Sequence, residues 1–258
     1  MTEFTGADLR GSHFEHVDLS DAHFHDVDLS HALIREALFD GVVMKGVELR
    51  DVYIYGEIEG LSVNGVDVGP LIEAELNRRY PLRSKMRPTD LAGYREAWDT
   101  LERLWDETVQ RAQGFAPEHL HESVDGEWSF IETLRHLVFA TDSWIRRVIL
   151  GDPSPWDDLG LPWDGMLDTP GVPRDRSARP SLATVMALRR DRMSTVREVI
   201  EGLDETSLNA DTEPVEGPGW PPPRSFPVRE CLLVIFNEEW EHRLYAERDM
   251  DALEARAK

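Results

Sequence analysis

A chain of 258 residues with 41% hydrophobic composition and eight tryptophans can bury a sizeable core, which excludes a disordered polypeptide. Its formal net charge of −22 sets it against nucleic-acid phosphates and anionic membranes, and no run approaches the roughly 18–20 apolar residues of a membrane span. The start, MTEFTGADLRG, lacks a basic stretch followed by an apolar one, so no secretory signal is expected. The single cysteine, Cys231, excludes an internal disulfide and fits a cytoplasmic location.

The first element is a repeat. Every fifth residue is large and apolar: Phe4, Leu9, Phe14, Leu19, Phe24, Leu29, Ile34, Phe39, Met44, Leu49 and Ile54. Two positions before them stand small or β-branched residues such as Ala7, Ser12, Val17 and Ala22. A period of five fits neither an α-helix nor a strand. It fits a square coil with one pentapeptide per side, the large residue on the axis and three positions facing water. The register ends at Glu59, so the repeat spans residues 1–58.

Units such as Ala7-Asp8-Leu9-Arg10-Gly11 resemble the pentapeptide-repeat family. The resemblance implies a right-handed β-solenoid with four units per coil, so this one has fewer than three coils. Some members of that family mimic duplex DNA with long acidic rods; a rod this short is not expected to. His13, His16, His23, His25 and His31 form a His-rich tract, a composition that suggests metal. Neighbours on adjacent coils are about twenty residues apart in such a solenoid, and no two of these histidines are, so solvated surface is expected.

Residues 59–87 read as a cap and linker. Asn64-Gly65 is a hairpin turn signal, Leu71–Arg79 a helix opened by Pro70, and SKMRPTD a polar linker. Residues 88–258 then carry four helical patterns, at about Asp90–Gln113, Ser129–Leu150, Ser181–Leu203 and Pro227 to the C-terminus. The connections Gly151–Pro180 and Asp204–Phe226 are long. Trp156, Trp163 and Trp220 within them point to ordered loops that cover something. The whole is an α+β, multidomain chain.

The chemistry gathers on the last helix. At about 100° per residue, Cys231, Leu232, Ile235, Glu238, His242, Asp249 and Leu253 share one arc. Glu238 and His242 therefore stack, four residues apart, inside an apolar stripe. A buried carboxylate and imidazole need a partner: a divalent cation, or a hydrogen-bonded pairing with each other, with Arg135 or with Arg192. On the second helix, His136 lies beside Thr133 and Ala140, off the stripe of Phe130, Leu134, Leu137, Thr141, Ile145 and Val148. It is either a hydrogen-bonded histidine at the core's edge or the third member of a two-histidine, one-carboxylate set. Such a set suits Zn, Ni, Mn or Fe.

The segments Gly126-Glu-Trp-Ser-Phe-Ile-Glu-Thr-Leu-Arg-His136-Leu and Asn237-Glu-Glu-Trp-Glu-His242-Arg-Leu-Tyr-Ala-Glu-Arg-Asp249 resemble the DinB-like superfamily over roughly Pro88 to Leu253. The repeat-plus-bundle combination resembles an actinobacterial group. The resemblance implies an up-up-down-down four-helix bundle, often a homodimer, with metal ligands at one histidine on helix two and a His-x-x-x-His pair on helix four. His136 matches the first and His242 the last; Glu238 replaces the middle histidine. The superfamily includes transferases and isomerases that use mycothiol or bacillithiol. The implied function is a metal-dependent enzyme, a mycothiol-type S-transferase or a hydrolase, acting on a small-molecule thiol or electrophile. In that reading Glu239 or Asp249 is the base or an outer partner, Trp128, Trp163 and the Gly151–Pro180 loop line the pocket, and Arg135 or Arg192 either holds a thiol's carboxylate or is engaged in an ion pair. The alternative is a non-catalytic binding protein with an altered or structural metal site, docking through the repeat.

Overall fold

Five-residue periodicity is written into the backbone dihedrals of the first part of the chain. In the computed structural model, which describes residues 2–56 and 58–256, every fifth residue from Gly6 to Asp51 is left-handed. Gly6, Gly11, Gly41 and Gly46 lie at φ 62–76°, and His16, Asp21, Asp26, His31, Glu36 and Asp51 at φ 50–64°. Glycine takes this region freely, and Asp and His tolerate it better than most residues. Local bonds close the corners. Leu9, Leu19 and Leu29 carbonyls accept from the amides of Ser12, Ala22 and Ala32 at 3.0–3.1 Å. Asp8, Asp18 and Asp28 carboxylates accept from the amides two residues on at 2.9–3.1 Å.

The structure departs here from the expected β-solenoid with a filled axis. Among the described residues, none of 2–56 lies in a strand. Phe4, Phe14 and Phe24 remain 59–66% exposed. The turn at every fifth residue interrupts extended backbone, and bonds made within turns do not tie one coil to the next. The repeat is present; among the described residues a sealed apolar axis is not.

Contacts divide the chain into two compact units, Met1–Tyr55 and Gly56–Lys258. The second unit opens with a hairpin, β1 (Ser62–Val63) and β2 (Val66–Asp67), around Asn64-Gly65. Both turn residues have positive φ, as a tight hairpin demands. Helix α1 (Gly69–Arg79) follows, with Pro70 in its first turn. The stretch expected as a polar linker packs instead. Arg83 pairs with Glu73 at 2.7 Å, Lys85 with Glu96 at 2.8 Å, and Met86 is buried in the same cluster as Tyr94 and Trp98.

Four helices among the described residues match the four sequence patterns, and shorter helical segments lie between them: α2 (Leu91–Ala112), α3 (Phe130–Thr141), α4 (Leu182–Gly202), the short α5 (Glu205–Leu208) and α6 (Val228–Arg256). Their starts are set by side chains that satisfy otherwise orphaned amides. Asp90 accepts from Gly93 N at 2.8 Å, Ser181 from Thr184 N at 3.2 Å, and Ser129 forms a reciprocal capping box with Glu132. Helix α3 does not stop at Thr141 but runs on as a π-helical segment, Asp142–Ile149. The apolar stripe from Phe130 to Val148 stays buried through the change. No helix of the described residues is long and apolar enough to cross a membrane.

The long loops are ordered against α3. Phe139, Met166 and Val172 form a buried cluster edged by Trp156, Trp163 and Trp220. Two fully buried arginines fasten these loops. Arg135 donates to the carbonyls of Leu159, Asp175 and Ala178. Arg147 donates to those of Pro153, Val215, Gly217 and Pro221.

Candidate metal centre

Helices α3 and α6 bring three side chains to one point. His136 Nε2 lies 3.3 Å from Glu238 Oε2, and His242 Nε2 lies 3.1 Å from the same oxygen. One ligand atom from each falls within 4.8 Å of the others. Glu238 and His242 meet because they are one helical turn apart. His136 reaches them from the second turn of α3, whose start the Ser129 capping box fixes.

The hydrogen bond on the far side of His136 decides what its near side offers. His136 Nδ1 is 2.9 Å from the Leu161 carbonyl oxygen. A carbonyl oxygen only accepts, so Nδ1 carries the proton. In the neutral ring, Nε2 then presents a lone pair to the Glu238 carboxylate, which is also acceptor-only. Two acceptors 3.3 Å apart repel unless a positive species lies between or beside them. That species is a proton on Nε2 or a bound cation. Two imidazole nitrogens and one carboxylate oxygen, with one ring held by a backbone carbonyl, are a fitting donor set for a divalent transition metal. The side chains present therefore fit such an ion.

Electrostatics agree. Burial raises the Glu238 carboxyl, but hydrogen bonds and charge from His136 and His242 outweigh it and hold it well below the usual carboxylate range. Burial lowers the His242 imidazole below its ordinary value, against the pull of Glu238, so the ring favours the neutral, ligating form. Trp128 stacks on His242 with ring centres 5.7 Å apart and planes at 10°, and lies 4.5 Å from His136. Its indole donates to Asp164 at 3.2 Å, and Asp164 pairs with Arg176. The loop before α3 is thereby joined to the loop after it above the imidazoles.

The other expected residues lie elsewhere. Trp163 packs on Phe139 and Trp220, with Phe139 between it and His136. Arg135 gives its donors to backbone carbonyls and none to the centre. Arg192 is paired with Asp142 at 2.8 Å and Asp191 at 2.7 Å. Neither guanidinium is placed to hold a carboxylate of a thiol cofactor, because each is already satisfied. Glu239, one residue beyond Glu238, points into the core and pairs with Arg189 at 2.7 Å; both are 1% exposed. Burial pushes its carboxyl up. Asp249 accepts from Arg248 at 2.7 Å and is outside the ligand cluster.

Sequence reading missed Arg189, although its spacing from Val185, Val196 and Ile200 on the buried stripe of α4 marks it. It also missed Leu161, Asp164, Phe139 and Tyr245, whose ring meets His242 edge-on at 5.9 Å. A backbone carbonyl such as that of Leu161 leaves no signature in sequence.

The site thus sits in a helical unit, with two imidazoles and a carboxylate converging from two helices. Residues 100–246, more than half of the chain, match the DinB superfamily, and the chain belongs to it. Residues 2–41 match eight copies of the pentapeptide repeats. No curated protein and no solved structure matches the chain.

Proposed function

We propose that this DinB superfamily protein is a divalent-metal-dependent enzyme acting on small molecules, a mycothiol-type S-transferase or a hydrolase. One observation carries the reading: both imidazole Nε2 atoms converge on one oxygen of Glu238, with the far side of the His136 ring held by the Leu161 carbonyl. His136, Glu238 and His242 would hold the ion. A bound divalent cation supplies Lewis acidity that favours a thiolate over a thiol, or hydroxide over water, near neutral pH. Glu238 supplies negative charge beside the two imidazoles. Trp128 covers His242 and keeps water from that side. Arg135 and Arg192 are engaged within the protein, so recognition of a thiol's carboxylate falls to other groups.

Elemental analysis of protein purified without a His-tag tests the metal. A divalent ion near one per chain is expected, and its loss in His242→Ala. Transfer of mycothiol to an electrophile tests the chemistry. An inactive, fully loaded protein would leave hydrolysis or binding. A second reading, a binding protein that docks a partner or a second copy through the repeat, rests on the row of exposed apolar residues from Phe4 to Ile54. Sedimentation of the wild type against Phe14→Asp and Phe24→Asp tests self-association: that reading expects a dimer that these substitutions dissociate.

A further inference from the structure

The geometry points to Arg135 as the positioning residue of the metal centre: it holds the loop whose Leu161 carbonyl orients His136. The inference rests on the metal reading above. The path is short, and its last step, from the Leu161 carbonyl to His136, is buried. Arg135 Nε donates to Leu159 O at 2.8 Å, and Leu161 N donates back to the Arg135 carbonyl at 3.2 Å. The Leu161 carbonyl then accepts from His136 Nδ1 at 2.9 Å. Adjacent residues of α3 thus grip residues 159–161, one from its side chain and backbone and one from its ring. The other end of the loop is held by the same guanidinium, through Asp175 O at 2.5 Å and Ala178 O at 3.2 Å. Arg135 is itself 0% exposed, so its guanidinium is committed to these carbonyls.

The loop also needs its glycine. A Cβ on Gly160 would meet Asp157 O at 3.1 Å and Phe139 Cβ at 3.6 Å. The backbone therefore lies close against α3, where a carbonyl can reach an imidazole. A lysine at 135 has one ammonium centre and cannot span three carbonyls on both ends of the loop. Without the span, Leu161 O is free to drift, and His136 Nδ1 loses the acceptor that fixes its proton and its ring plane.

Arg147 provides a matched control. It is equally buried on the same helix and donates only to carbonyls, but those of Pro153, Val215, Gly217 and Pro221, none of which bonds a ligand. The test is Co²⁺ titration of full-length wild type, Arg135→Lys and Arg147→Lys, read by the visible d–d spectrum, with thermal unfolding in parallel. The expected result is a ~10–100-fold loss of Co²⁺ affinity and an altered spectrum in Arg135→Lys, with affinity and spectrum unchanged in Arg147→Lys at comparable loss of stability. Equal loss of affinity in both variants would overturn the positioning role and leave the metal reading standing. Failure of the wild type to take up Co²⁺ would overturn the metal reading, and the role with it. Should Arg135→Lys fail to fold, the proton NMR spectrum of the Co²⁺-loaded wild type decides. The His136 Nδ1 proton is expected as a hyperfine-shifted signal that exchanges slowly with water; fast exchange would overturn the clamp.

Discussion

Glu238 is the residue on which the centre turns, because its Oε2 is the common neighbour of both imidazoles. Replacing it with glutamine keeps the shape and removes the charge. Glu238→Gln is expected to weaken Zn²⁺ binding by more than the roughly 10–100-fold typical of losing an outer partner, measured by calorimetry. Glu238→His replaces an oxygen with an imidazole nitrogen, and imidazole donors favour Zn, Fe and Ni over Mn. That variant is expected to bind Zn²⁺ and to lose Mn²⁺ relative to the wild type in a competition titration. The pH dependence follows from His242. Its folded-state value is depressed below 6.5 by burial, so protonation is favoured in the unfolded chain. The stability it contributes is present above about pH 6.5 and is lost as pH falls toward the depressed value. The metal-free protein is therefore expected to lose melting temperature on acidification below pH 6.5, with a shallower loss in His242→Asn. Cys231 is a quieter case. Burial pushes its thiol up to about 12, so a disulfide reagent at pH 8 is expected to react slowly with folded protein and fully in denaturant.

Among the elements, α3 does most to place the site, and its start is chemically simple. Ser129 and Glu132 cap each other's amides. Ser129→Ala is expected to cost about 1 kcal/mol, a shift of roughly 2–4 °C in melting temperature for a unit of this size. Circular dichroism checks it. The helix starts were legible in the sequence: Asp90, Ser129 and Ser181, where the helical patterns open, cap α2, α3 and α4. The i,i+4 placement of Glu238 and His242 within an apolar stripe made the α6 half of the site legible too. The π-helical segment was not, because the 4-4-3 spacing of the stripe that runs through it, Leu137, Thr141, Ile145 and Val148, also reads as α-helix. The roles of Arg135 and Arg192 were not legible for a related reason. A guanidinium that binds backbone carbonyls or a buried aspartate has the same composition and spacing as one that binds a ligand's carboxylate. The exposed axis of the repeat was hidden by the regularity of its apolar positions, which states periodicity but not closure.

At the scale of the whole molecule, the chain separates into a repeat and a helical unit, and the three ligands all belong to the second. They also come from two different helices, α3 and α6. An ion bound there ties together elements distant in sequence, His136 and Glu238, and is absent from the unfolded chain, where the ligands are scattered. Binding to the folded state alone stabilises by mass action, about 2.7 kcal/mol at a free concentration one hundred times Kd. Spread over the roughly 2–4 °C per kcal/mol expected of a unit of this size, that is a shift of about 5–10 °C. The far-UV helical signal reports this unit, since among the described residues 2–56 contain no helix. Stripping the protein with a chelator is therefore expected to lower the melting temperature of the helical transition by that amount, and re-addition of the ion to restore it. In His242→Ala the chelator is expected to change nothing. An equal shift in wild type and variant would mean that the ion acts outside the His136–Glu238–His242 centre.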